Sequence, residues 1–245
     1  MPERLRVCAL YPDLMNIYAD RGNLLMLERR CAWRGIGFEL LRSDLGDRLD
    51  PGVADLFYIG GGQDRDQERC AEDLFETKRE ALHEVAERAG VVLGVCGGYQ
   101  LLGRSYQLSD ERLPGIGLLD VETIREEGPR LIGNVAIEVE LRPGERQVLA
   151  GFENHGGRTY LQPGSQALGR VLKGHGNNGK DGLEGARDRN VLGTYLHGPL
   201  LPKNAWFADW LIETALGLPE PLSPLDDELE RAAHADARRA AGVAA

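Results

Sequence analysis

The chain has 245 residues, 42% hydrophobic and 28% charged, a balance that supports a folded core and excludes disorder as the main state. Its 29 Lys and Arg against 39 Asp and Glu leave a net charge of -10, which argues against nucleic acid or an anionic bilayer as a direct partner, because phosphate binding draws on a basic surface. There is no charged-then-apolar leader and no apolar stretch near the roughly 20 residues of a membrane span, so a cytoplasmic location without membrane insertion is expected.

From the N-terminus, the apolar run over residues 5–10 predicts a strand that stops at Tyr11-Pro12. Leu24, Leu27 and Cys31 follow at helical spacing, closed by Gly35. Short buried strands are predicted over 38–41 and 56–59, the second ending at Gly60-Gly61-Gly62. Helical spacing returns at Leu74, Leu82, Val85 and Ala89, ahead of a fourth strand over 91–95. Strands alternating with helices predict an α/β fold around a mostly parallel sheet. From about Gly115 the pattern changes: 118–124, 135–141, 160–161, 169–172 and 191–195 read as strands with Gly-rich connections, hence antiparallel additions. Trp206, Phe207, Trp210, Leu211 and Ala215 share a helical face behind the candidate cap Asn204, and Gly217 ends it. The expected organisation is one domain over 1–217, then a Pro-rich link and a helix or tail over 218–245 that either docks on a partner or stays mobile.

The four cysteines are too widely spaced for a zinc ribbon or a disulfide framework, which leaves a nucleophile as the special role for one of them. Gly94-Val95-Cys96-Gly97-Gly98 follows an apolar strand and precedes a helical run, the context a G-x-nucleophile-x-G elbow requires. Glycines two residues to either side remove Cβ atoms from a tight turn, and a helix starting after the thiol favours the thiolate. A thiolate attacking an amide needs an imidazole to carry protons. His83 lies in a charged helix, His175 in a Gly-rich loop and His234 in the tail, whereas His197 follows the strand over 191–195, at a strand end where catalytic groups collect. His155, in Asn154-His155-Gly156-Gly157-Arg158, is the runner-up. Gly60-Gly61-Gly62-Gln63-Asp64 ends another strand and can supply backbone N–H groups to an oxyanion. Neither a G-x-x-x-x-G-K-[ST] nor a strand-linked G-x-G-x-x-G occurs, so no ATP or dinucleotide site is expected.

Seven sequence blocks stand out in order over about residues 5–217. They are Leu10-Tyr11-Pro12-Asp13-Leu14-Met15-Asn16-Ile17-Tyr18 with Asp20-Arg21-Gly22-Asn23; Trp33-Arg34-Gly35-Ile36; Gly60-Gly61-Gly62-Gln63-Asp64; Val95-Cys96-Gly97-Gly98-Tyr99-Gln100; Arg130-Leu131-Ile132-Gly133-Asn134; Glu153-Asn154-His155-Gly156-Gly157-Arg158-Thr159; and Gly193-Thr194-Tyr195-Leu196-His197-Gly198-Pro199. Together they resemble the class I (triad-type) glutamine amidotransferases, in the branch related to cobyric acid and cobyrinate amidases. Asp20-Arg21-Gly22-Asn23 and Gly176-Asn177-Asn178-Gly179 resemble, within that branch, the glutaminase subunits of bacterial lipid II isoglutaminyl synthase.

The resemblance implies a flavodoxin-like α/β fold, L-glutamine as substrate, no cofactor and no metal. It implies a MurT-like Mur ligase as heterodimer partner, which takes up the ammonia to amidate D-glutamate of the peptidoglycan stem peptide. It also implies Cys96 as nucleophile, His197 as its base, Arg130 as the holder of the glutamine α-carboxylate, and Gly61, Gly62 and Gly97 as oxyanion positions; an Arg fork suits a carboxylate bidentately. One position departs from the wider family, which mostly carries Glu two residues after the catalytic His: here it is Pro199. By resemblance a partner supplies the missing acid, and within the chain Glu153 is the first candidate. Three other readings stand beside this one. A stand-alone thiol hydrolase needs its acid in cis, an amidotransferase serving a cobyric-acid-type synthase would follow a P-loop domain in one chain, and a non-catalytic subunit predicts loss of the thiol or imidazole.

Overall fold

The computed structural model describes residues 4–17, 20–107 and 112–244, so Tyr18 of the first block lies outside the described residues. The chain runs β1 (Arg4–Leu10), α1 (Arg21–Ala32), β2 (Gly37–Ser43), β3 (Leu56–Ile59), α2 (Asp64–Asp73), a π-helical turn (Leu74–Lys78), α3 (Arg79–Glu87), β4 (Val91–Val95) and α4 (Gly97–Leu102). It continues through β5 (Ser105–Gln107), β6 (Arg112–Pro114), β7 (Val121–Arg125), β8 (Leu131–Arg142), β9 (Glu145–His155), β10 (Gly157–Leu161), β11 (Gly169–Lys173), β12 (Leu183–Glu184), β13 (Ala186–Asp188) and β14 (Val191–Thr194). Three helices close it: α5 (Leu200–Lys203), α6 (Ala205–Leu216) and α7 (Glu228–Ala240).

The central sheet has the order β13-β14-β4-β3-β1-β2, parallel except for the edge strand β13. Every residue of β3, β4 and β14 is buried, which explains why these strands read as unbroken apolar runs. The register pairs Ile59 with Gly94 and Val95 with Thr194, so the C-terminal ends of β3, β4 and β14 lie side by side. Those three ends lead directly into the Gly60-Gly61-Gly62 turn, Cys96 and the segment to His197, respectively in the order β3, β4 and β14. Two further four-stranded sheets, β10-β7-β5-β6 and β12-β11-β8-β9, supply the antiparallel character of the second half.

Three local expectations differ from what is found. The helix expected around Leu74 to Ala89 starts earlier, at Asp64, and ends at Glu87, because Ala89 adopts φ +59. No strand was expected over 145–155, yet β9 is 11 residues long and pairs along β8. Asn204 does precede α6 but its side chain does not cap it. Its Oδ1 accepts the Ala150 N–H and its Nδ2 donates to Ala150 O and Leu200 O, tying the helix start to β9. The far end behaves as expected: Gly217 at φ +60 closes α6, with Leu218 N–H donating to Glu213 O.

Residues beyond Gly217 lie on their own chain. α7 packs against α5, α6, β8 and β9, and the link before it is held by Arg30, whose wholly buried guanidinium donates to both Asp209 and Asp227. Removing one partner of a buried ion pair leaves uncompensated charge and costs about 3–5 kcal/mol. Arg30→Ala is therefore expected to lower the thermal midpoint by roughly 6–20 °C. Calorimetry of the variant checks this, and a midpoint within a degree or two of the parent would show that the link adds nothing to the fold.

Candidate active site

Cys96 sits between β4 and α4 with φ +53 and ψ -107, a conformation that non-glycine residues rarely hold and that tertiary contacts must enforce. Two bonds enforce it: Cys96 N–H donates to Thr194 O (2.8 Å) and Gly98 N–H to Gly60 O (3.0 Å), stitching the elbow to the ends of β14 and β3. A Cβ on Gly98 would stand 2.3 Å from Ile59 O, so the turn closes only on glycine. The sequence context for an elbow is thus matched by its backbone geometry.

A pocket of about 270 Å³ opens at this elbow, with Cys96, Gly62, Gln67, Gln100, Arg130 and His155 among its walls. Arg130 is held by Asn154: its Nε donates to Oδ1 (2.8 Å) and its Nη2 to the backbone O (2.9 Å). Arg125 lines the same pocket and was not singled out in the sequence. Beneath it runs a buried polar chain that also escaped sequence reading. Gln67 donates to Gln100 (2.7 Å), Gln100 to Tyr195 Oη (3.1 Å), and Tyr195 Oη meets Thr159 Oγ1 (2.6 Å).

His197 is fully buried and not part of the pocket wall. Its backbone pairs with Phe152 in both directions at 3.0 Å. Burial pushes its imidazole down to about 4, helped electrostatically by its neighbours His155, Lys203 and Arg130, so it is neutral at physiological pH. His155 is on the wall, stacked on Tyr195 at 3.6 Å between centroids, with Nδ1 2.8 Å from Gly157 O and a buried Nε2 that makes no hydrogen bond among the described residues. Glu153 is buried too. Its carboxylate accepts the His175 N–H (2.6 Å) and the Gly176 N–H (2.9 Å), and reaches His155 Nε2 only at 3.9 Å. A second buried acid, Glu184, accepts the Tyr195 N–H (2.6 Å) and the Thr194 hydroxyl (3.0 Å), holding the segment that leads to His197. Burial pushes the Glu184 carboxyl up to about 8.

The glycine-rich turn divides its amides. Gly61 N–H donates to Asp20 Oδ2 (2.7 Å), so it does not face the pocket as the sequence reading expected. Gly62 does line the pocket, and its nitrogen lies 3.1 Å from where a Cβ on Gly97 would stand. The amides near Cys96 are therefore those of Gly62 and Gly97. Among the described residues no group of three or more His, Cys, Asp or Glu is placed to hold a metal ion, and no helix is long and apolar enough to cross a membrane.

A strained cysteine at the C-terminal edge of a parallel sheet, beside a glycine turn and a pocket it shares with an arginine, is an arrangement able to carry thiol-dependent acyl transfer. Residues 6–205 match the CobB/CobQ-like glutamine amidotransferase domain, and the chain belongs to that family. Over 88% of its length it is 39% identical to the GatD subunit of the glutamine-hydrolysing lipid II isoglutaminyl synthase of Streptococcus pneumoniae, covering 82% of that protein. The GatD subunit of Staphylococcus aureus is 40% identical over 89% of this chain and 88% of its own. Among solved structures, PurLQS from Thermotoga maritima superposes with a TM-score of 0.58 over 89% of this chain and 96% of that chain, at 22% identity, a likeness of fold alone.

Proposed function

We propose that the chain is the glutaminase subunit of a lipid II isoglutaminyl synthase. It hydrolyses L-glutamine to glutamate and ammonia in the cytoplasm and passes the ammonia to a MurT-like, ATP-dependent Mur ligase that amidates D-glutamate of the peptidoglycan stem peptide. The observation that carries this reading is the strained Cys96 facing a pocket it shares with Arg130. Similarity to the two GatD subunits supports the acceptor and the ligase partner.

In this reading Cys96 sulfur bonds to the carboxamide carbon of glutamine while His197 takes the thiol proton. The carbonyl electron pair moves to oxygen, where the Gly62 and Gly97 N–H groups receive it. Collapse breaks the C–N bond, and His197 returns the proton to the leaving nitrogen. Water, deprotonated by His197, then cleaves the thioester, freeing glutamate and the thiol. Ammonia set free in water would be protonated and lost as a nucleophile, which favours an enclosed hand-over to a partner. Assaying glutamate release, identifying by mass the protein that co-purifies with the chain, and testing the pair on lipid II checks each step. Failure to release glutamate with that partner present would sink the reading.

Arg130→Ala is expected to weaken glutamine capture, lowering kcat/KM by the roughly 10- to 150-fold that about 1.5–3 kcal/mol of charge-assisted hydrogen bonding represents. Arg130→Lys should restore little, because a lysine has neither the fork for a carboxylate nor the Nε that Asn154 orients. Steady-state kinetics decides. Normal capture by both variants would transfer the role to Arg125.

A further inference from the structure

Resting on that reading of Cys96, we infer that Asp20 is a positioning residue of the oxyanion hole: by clamping the Gly61 peptide it aims the Gly62 N–H at the developing oxyanion. The orientation follows from three consecutive bonds and the planarity of trans peptides, in which C=O and the next N–H point to opposite sides. Gly60 O accepts the Gly98 N–H of the elbow, so the Gly61 N–H points away from the elbow, where Asp20 Oδ2 receives it at 2.7 Å. Gly61 O accepts the Ile17 N–H at 3.1 Å, so the Gly62 N–H points opposite to the Ile17 amide. Both faces of Gly61 are thus held by the segment leading into α1.

Asp20 gives up a local bond to do this. It occupies the N-cap position of α1, where an aspartate ordinarily accepts an N–H of its own helix, yet its side chain makes no capping bond. It is fully buried, and its Oδ1 has no hydrogen-bond partner among the described residues, an arrangement that a purely structural cap would not need. Burial pushes its carboxyl up to about 7, against the lowering effect of the Gly61 N–H, which limits the negative charge it places beside the reaction centre. The same turn of α1 also braces the loop after His197. Asn23 Oδ1 accepts the Leu201 N–H at 2.8 Å, and a Cβ on Gly22 would stand 2.9 Å from Pro199 Cγ.

Asp20→Ser separates positioning from structure, because a serine can cap α1 but is one bond too short to reach Gly61. The measurement is made on the full chain with its ligase partner. It takes kcat and KM for glutamine together with inhibition by glutamate γ-semialdehyde, to which the Cys96 thiol adds, its proton passing to the former carbonyl oxygen at the oxyanion position. The expected result is a kcat about 10- to 100-fold lower at nearly unchanged KM, a matching loss of aldehyde affinity, and recovery of most of both in Asp20→Asn, which keeps an acceptor. Parental kcat in the serine variant would overturn the inference. So would a loss confined to KM, or a fall in kcat that leaves aldehyde binding untouched. If the serine variant does not fold, Asp20→Asn still decides: near-parental kcat there supports the inference, and a loss of about 10-fold or more would show that the acceptor is not what matters. Absence of hydrolysis by the unaltered complex would overturn the glutaminase reading and this inference together.

Discussion

Replacing Cys96 by alanine is expected to lower kcat for glutamine hydrolysis by about 10⁶, the scale on which loss of the nucleophile or its base disables a Ser–His hydrolase. His197→Ala should cost nearly as much, while His155→Ala should cost far less, since the His155 Nδ1 already meets Gly157 O and its ring packs flat on Tyr195. Alanine removes only a sulfur, so the fold should persist, and circular dichroism with a glutamate-release assay separates the two effects. A glutamine-like chloroketone provides an independent check. Burial pushes the thiols of Cys8, Cys31 and Cys70 up to about 12, so these three stay protonated and inert at neutral pH. Mass spectrometry should therefore find one label per chain, on Cys96. Residual hydrolysis near the parental rate, or labels on all four cysteines, would remove Cys96 from the mechanism.

The parts of the fold visible in the sequence are those whose signal is local. Residues 56–59 and 91–95 were readable to the residue because a parallel strand buried on both faces is a continuous apolar run. β9 was not, because its first four residues are exposed or half-buried and only the later ones enter the core. The Pro143-Gly144 turn between two runs of strand-forming residues was the cue that could have revealed the β8–β9 hairpin. The same division holds at the site. The elbow shows itself through glycines within two residues of Cys96, and His197 through the end of a strand. Asp20, Gln100 and Glu184 act through partners 41, 95 and 11 residues away, and no spacing rule reaches that far. A run of three glycines does not by itself say which amide faces the nucleophile, since successive N–H groups of an extended segment point to opposite sides and only the fold decides between them.

The largest effect outside the nucleophile is expected from the partner. Family members with a glutamate two residues after the histidine keep an acid at hand, whereas here that position is Pro199, packed against Gly22 of α1. Two buried acids near this end of the sheet are already engaged: Glu153 by two amides of the His175–Gly176 turn, Glu184 by Tyr195 and Thr194. Burial holds His197 near 4, where it stabilises poorly the imidazolium that forms when the thiol gives up its proton. In a Ser–His–Asp enzyme, neutralising the acid costs about 10⁴ in kcat. The isolated chain should therefore hydrolyse glutamine slowly, and adding the ligase, without ATP or acceptor, should raise kcat by up to about that factor. The sign of the accompanying titration is fixed. A carboxylate brought within hydrogen-bond reach favours the imidazolium, so the His197 NMR titration should move upward from about 4 in the complex, and neutralising the responsible Asp or Glu of the ligase should return both the titration and the rate to those of the lone chain. Should the chain alone already match the complex, the acid lies in cis. Glu153→Gln is then the variant to measure, since Glu153 is the buried acid that reaches toward His155, an electrostatic neighbour of His197.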